Sequence, residues 1–143
     1  MRANLALLYL THGRYREARP LVDEIRLDRQ PQPKAKAMYA GVMAEAFART
    51  GNAEEARTLL ETYDADDSAY AEVKPILLRA QVHTFMASKK RNRAKKAMDE
   101  LAAADINMVA SFVQKGNPPE LSQLAKQTLA RAGMIPKPKV RMR

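Results

Sequence analysis

Tyr9, Gly13, Glu17, Ala18, Val22 and Ile25 recur thirty-eight residues later as Phe47, Gly51, Glu55, Ala56, Leu60 and Tyr63. A third copy at the same spacing keeps apolar members as Phe85, Ala94, Met98 and Leu101, and has Lys89 where the glycine stood. Units that repeat with a fixed period of roughly twenty to fifty residues cannot bury their apolar faces alone. Each must pack against its neighbours, which restricts the fold to a stack of like units. Function is then expected on a surface, not in an enclosed active site.

The residue types within one copy define the unit. Tyr39, Ala40, Met43, Ala44 and Phe47 fall at helical spacing, Arg49-Thr50-Gly51-Asn52 reads as a turn, and Ala56, Leu59, Leu60 and Tyr63 resume the helical period. Gly51 stands where the first helix must end, in the left-handed conformation that glycine adopts cheaply, and Asn52 is expected to cap the second helix. Ala44 and Ala56 are small, as a close helix crossing requires. Phe47, Leu60 and Tyr63 have the bulk to fill the space between hairpins. The stripe reads as core rather than as a cofactor-lined pocket.

At these residues the chain resembles the tetratricopeptide repeat family, in which a small residue, an aromatic, a glycine, an aromatic and an alanine mark each helix-turn-helix unit. The pattern is carried by Ala6, Tyr9, Gly13, Tyr15, Ala18 and Val22, then by Ala44, Phe47, Gly51, Ala53, Ala56 and Leu60. Val82, Phe85, Lys89, Arg91, Ala94 and Met98 carry it most weakly, without the glycine or the second aromatic. The resemblance covers about residues 3 to 101 and implies an all-α, right-handed helical-repeat solenoid with units at about 1–28, 35–65 and 75–102. The period is four residues longer than the family's usual thirty-four, and the excess falls around Arg29-Gln30-Pro31-Gln32-Pro33 and Ala65-Asp66-Asp67-Ser68. Pro75 marks the start of the third unit, since proline is tolerated in a helix's first turn. The second resemblance is to the pentatricopeptide repeats, which use a Gly-x-x-x-Glu-Ala turn in similar hairpins that read single-stranded RNA.

The two ends differ. Met1 falls inside the first helix, so the expectation is an excised domain whose preceding residues continue the solenoid or reach a membrane anchor, or a first hairpin covered by another subunit through self-association. At the other end Asp105 to Lys115 reads as a short helix ended by Gly116. Asn117 is expected to cap the next helix, with Pro118 in its first turn and Leu121, Leu124, Ala125, Thr128 and Leu129 on its inner stripe. This capping hairpin spans 105–133, and residues 134–143 form a basic, proline-punctuated tail.

Catalytic chemistry has little to stand on. There is no cysteine, hence no disulfide and no thiolate metal site or nucleophile. His12 and His83 have no partner at metal-ligand or triad spacing. Glu54 and Glu55 complement a helix N-terminus. The Asp64, Asp66, Asp67 loop lacks the glycine and distal glutamate of a calcium loop. No apolar run approaches the roughly eighteen residues of a membrane span, and no signal peptide precedes Leu5. The expectation is a non-enzymatic chain with no cofactor, cytoplasmic or cytoplasm-facing.

Charge is unevenly divided. Residues 1 to 73 carry ten Lys/Arg against twelve Asp/Glu, whereas residues 74 to 143 carry fifteen against four. The excess concentrates at Lys89, Lys90, Arg91, Arg93, Lys95 and Lys96, with Lys137, Lys139, Arg141 and Arg143 in the tail. Such a cluster is either a solvated face or a weak polyanion site.

The family resemblance implies a concave groove lined by each unit's first helix. Projecting the helical period places Ala3, Leu7 and Leu10 there from the first unit, Met38, Gly41, Glu45 and Arg49 from the second, and Ile76, Arg79, His83 and Met86 from the third. Chaperone-binding members carry a clamp of lysine, asparagine and arginine for a C-terminal carboxylate. The corresponding stations here hold Ala3, Leu7, Ile76 and Ala80, so that ligand is not carried over. The apolar lining suits an amphipathic helix of a protein partner, with Arg49 and Arg79 fixing its polarity through its acidic residues. Alternatively the chain's own tail, or residues ahead of Met1, fill the groove. The function expected is a protein-interaction scaffold or adaptor, with an RNA- or polyanion-binding module as the alternative.

Overall fold

The computed structural model describes residues 2–113 and 117–133, and among these the chain is all-helical with no strand. Three helix pairs follow one another: α1 (Arg2–Thr11) and α2 (Tyr15–Asp23), α3 (Pro33–Arg49) and α4 (Ala53–Glu61), α5 (Lys74–Ala87) and α6 (Arg91–Ala104). The short α7 (Ile106–Ala110) and then α8 (Pro119–Arg131) complete the described chain. Proline sits in the first turn of α3, α5 and α8, where its missing N–H costs nothing.

The turns within the pairs repeat to the hydrogen bond. Gly13 and Gly51 take φ values of 77° and 90°. The amide of the next residue reaches back to the aromatic of the repeat, Arg14 N–H to Tyr9 O and Asn52 N–H to Phe47 O, both at 2.8 Å. This six-residue closure is the Schellman form of a helix end. The third turn keeps it without a glycine: Lys89 takes φ 61°, and Lys90 N–H donates to Phe85 O at 2.8 Å. Asn52 does not cap α4 with its side chain. Its Oδ1 instead accepts from Arg19 Nη1 at 2.7 Å, and Thr50 Oγ1 accepts from the same nitrogen at 2.6 Å, so the residue expected to close one helix ties α2 to the α3–α4 turn.

Packing is sequential. α3 lies against α1, α2, α4 and α5, and α5 against α3, α4 and α6. Ala44, Ala48, Ala56 and Ala80 form a small-residue seam where α3, α4 and α5 approach. α3 and α5 come equally close at Gly41, where an added Cβ would stand 2.9 Å from Ile76 Cγ2. α8 packs on α6 and α7, with Leu121, Leu124, Ala125 and Leu129 joining the large core around Leu77, Leu78, Met98 and Leu101. No helix among the described residues is long and apolar enough to cross a membrane.

The expected Asp105–Lys115 helix is divided within its described part, 105–113, and Gln114 and Lys115 lie outside the described residues. Asp105 accepts from Asn107 N–H as the cap of α7, and the chain tightens into a 3-10 turn at Ser111–Val113. Gly116 and the basic tail lie outside the described residues. Asn117 is not the cap of α8, which starts one residue later with Pro118 at that position; its side chain turns inward to donate to Ser111 O at 3.2 Å.

Candidate functional site

α3, rich in alanine, and α5 are extensively buried, yet each contributes a polar pair one turn apart, Glu45 with Arg49 and Arg79 with His83. A charge on such a helix must find a partner inside. Arg79 Nε donates to Glu45 Oε1 at 2.8 Å and its Nη2 to Oε2 at 3.2 Å; Arg49 Nη1 donates to Oε2 at 2.8 Å. Both guanidiniums also donate to Leu10 O, at 2.8 Å from Arg49 and 3.2 Å from Arg79. That carbonyl closes the last turn of α1, where unsatisfied oxygens and the helix dipole favour cations.

The C-terminal segment completes the enclosure. Arg79 Nη1 donates to Ser111 Oγ at 2.6 Å, its guanidinium lies 4.6 Å from the centre of the Phe112 ring, and Arg49 Nη2 donates to Asn117 Oδ1 at 3.3 Å. Arg49 also lies over Tyr15. The Phe112 ring is 5.1 Å from that of His83. His83 Nε2 stands 3.3 Å from Glu45 Oε2 but lacks the alignment of a hydrogen bond.

Electrostatics follow from this geometry. Burial alone would raise the Glu45 carboxyl, but Arg79, His83 and Arg49 outweigh it and hold the group at about 2. Burial pushes His83 well below its ordinary value, with Glu45 opposing and the two arginines assisting. His83 is therefore neutral at neutral pH. The enclosed cluster then carries two guanidiniums against one carboxylate.

The groove positions separate into two groups. Leu10, Glu45, Arg79 and His83, expected to be exposed, are at most 3% exposed, and Ala3 and Gly41 are buried with them. The reason is that α3 and α5 are covered by α1 and by Ser111 and Phe112 as well as by their own hairpin partners. The acid expected from a partner helix is Glu45 of the chain itself. Leu7, Met38, Ile76 and Met86 are half-buried and pack against the cores.

What stays open is a cleft of about 560 Å³ at the edge of this cluster, lined by Tyr15, Ala48, Arg49, His83, Met86, Ala87, Asn117, Pro118, Glu120 and Leu121. Sequence reasoning reached three of these, Arg49, His83 and Met86. Tyr15, Asn117 and Leu121 were placed elsewhere because they come from α2 and from the segment around α8. The signal available was the opposite charges in the otherwise apolar middles of α3 and α5.

Lys89, Lys90, Arg91, Arg93, Lys95 and Lys96 are all exposed, at the α5–α6 turn and along the start of α6. Arg91 approaches Glu120 at 3.6 Å and Arg93 lies 5.9 Å from the Phe85 ring centre. Leu5 and Leu8 of α1 are the exposed large hydrophobic residues among those described. The acidic loop serves its own backbone: Asp64 accepts from Asp66 N–H, Asp67 from Ala69 N–H, and Asp66 pairs with Lys74. No three metal-binding side chains come together among the described residues. Comparison with known proteins gives no match to any family model, curated protein or solved structure.

Proposed function

We propose that this chain is a tetratricopeptide-like helical repeat, a right-handed solenoid of three hairpins and a capping hairpin, that acts as a non-enzymatic protein-interaction module. Support for the repeat comes from the three turns, which share left-handed backbone and the same closing hydrogen bond at thirty-eight-residue intervals. The partner is a short peptide segment of another protein, and its place is the cleft beside Arg49 rather than the full length of a concave groove. The cleft is the observation that carries this reading. It offers apolar surface from Tyr15, Met86 and Pro118 beside polar groups of Asn117 and Glu120, the mixture a peptide side chain and its backbone require. Flexible Met86 adapts to the shape of the guest.

Ala87 is exposed on the cleft wall, so Ala87→Trp fills the cleft without entering the core. Peptides selected from a displayed library on the immobilised chain are expected to lose at least about tenfold in affinity on Ala87→Trp, with the melting temperature unchanged. Peptides that bind both forms equally would remove the cleft from the account. Self-association through the first hairpin is a second reading, favoured by exposed Leu5 and Leu8. Sedimentation of the chain and of Leu5→Lys/Leu8→Lys tests it, and identical monomeric profiles would exclude it.

A further inference from the structure

The start of α6 runs against what stabilises a helix. The equivalent turns of α2 and α4 carry Glu17 and Glu54 with Glu55, which complement the positive end of the helix dipole. α6 has no acid in its first turn and no side-chain cap, and presents Arg91, Arg93, Lys95 and Lys96 after Lys89 and Lys90. Every one of these is exposed. Ion pairing offsets little of the repulsion: Glu120 at 3.6 Å from Arg91 is the only close carboxylate partner shown for the six among the described residues. Lys89 adds backbone strain, since it occupies at φ 61° the position that glycine holds in the first two turns. A set of side chains that costs stability at the backbone, at the helix terminus and by mutual repulsion marks a surface kept for binding.

The chemistry of the surface selects the partner class. Residues 87–96 expose no large apolar side chain, whereas protein interfaces bury an apolar core and are depleted in lysine. A membrane surface would call for apolar residues beside the cations to enter the acyl boundary, and none is exposed there. Nucleic-acid interfaces are more polar and far more positive, and a phosphate backbone brings the dense, regular negative charge that six cations within eight residues match. We infer that the α5–α6 turn and the first two turns of α6 bind the phosphate backbone of a nucleic acid without reading its sequence. The face shares no lining residue with the peptide cleft and adjoins it at the Arg91–Glu120 pair, which the variants below leave in place.

The experiment measures anisotropy of a labelled twenty-nucleotide oligo-uridine with the full chain, from about 25 to 200 mM KCl. Log affinity should fall linearly with log salt, and Lys89→Gln/Lys90→Gln/Lys95→Gln/Lys96→Gln should reduce the slope by about 3, at roughly 0.7 per lost contact on a single strand. A twenty-nucleotide strand of mixed sequence should bind equally. Lys34→Gln/Lys36→Gln, exchanged on another helix, should leave the slope unchanged. Lys89→Gly should raise the melting temperature while weakening binding, an opposition that a merely structural lysine would not produce. Absence of binding at 25 mM KCl overturns the inference, as does a slope unmoved by the fourfold variant. Poly-glutamate competing as well as RNA at equal charge would assign the surface to an acidic protein. Equal retention on phosphatidylserine vesicles would assign it to a membrane, and either result contradicts the inference.

Discussion

At the residue scale, Glu45 and His83 make acid the sensitive direction for this fold. Glu45 is held at about 2 by Arg79, His83 and Arg49, so its contribution is present above the ordinary carboxyl value of about 4.5 and is lost as pH falls toward 2. His83 is depressed by burial and by the same arginines. The unfolded chain takes up a proton at about 6.5 where the folded chain does not, so stability is full above that pH and declines as pH falls below it. Melting temperature is therefore expected to drop in two phases, the upper beginning near pH 6.5, and His83→Gln should remove the upper phase alone. A melting temperature flat from pH 7 to 5 would contradict a buried neutral His83. Glu45→Gln leaves two enclosed guanidiniums without their counter-charge, a change that costs about 3–5 kcal/mol by chemical denaturation at neutral pH. The identity of these residues was legible in the sequence, but their role was reversed. A helical projection places Glu45, Arg79 and His83 on one side of their helices and is silent on what covers that side.

At the scale of elements, the hairpins were readable because they are local. A glycine at fixed spacing, small residues at the crossing and aromatics one turn before the glycine are each decided within about thirty residues of chain. The third turn shows the same geometry surviving the loss of its glycine, with Lys89 forced into the left-handed region by the helices on either side. Ala56 is wholly buried in the seam with Ala44, Ala48 and Ala80, while Ala53, in the first turn of the same helix, is only half-buried. Ala56→Leu is accordingly expected to lower stability by about 1–3 kcal/mol and Ala53→Leu by much less. Equal denaturation midpoints for the two variants would place the α3–α4 crossing elsewhere. The elements the sequence read poorly are α7 and the start of α8. Asp105 ends one helix and caps the next within a single residue, and Asn117, an apparent cap, is drawn inward by Ser111 and Arg49. Both outcomes are set by contacts with distant helices, which local capping rules do not contain.

On the scale of the whole molecule, the Glu45, Arg79 and His83 cluster of α3 and α5 is covered by residues from the chain's own C-terminal part. Ser111, Phe112 and Asn117 reach Arg79, His83 and Arg49 across intervals of about thirty to seventy residues, so no periodic pattern announces them. This closure leaves a cleft between Tyr15 and Leu121 at the edge of the cluster, and the basic turn at the start of α6 as a separate face. The chain has no tryptophan, so one placed at position 112 is a sole reporter of the closure. Phe112 is fully buried between the Arg79 guanidinium and the His83 ring. The decisive measurement is the fluorescence of Phe112→Trp, with far-UV circular dichroism showing that the helices are retained. Closure predicts a blue-shifted emission poorly quenched by acrylamide in the native state, and an exposed, readily quenched indole in denaturant. An emission that is already exposed and fully quenchable in the folded, helical protein would show that the segment does not cover Arg79 and His83, and would contradict the account.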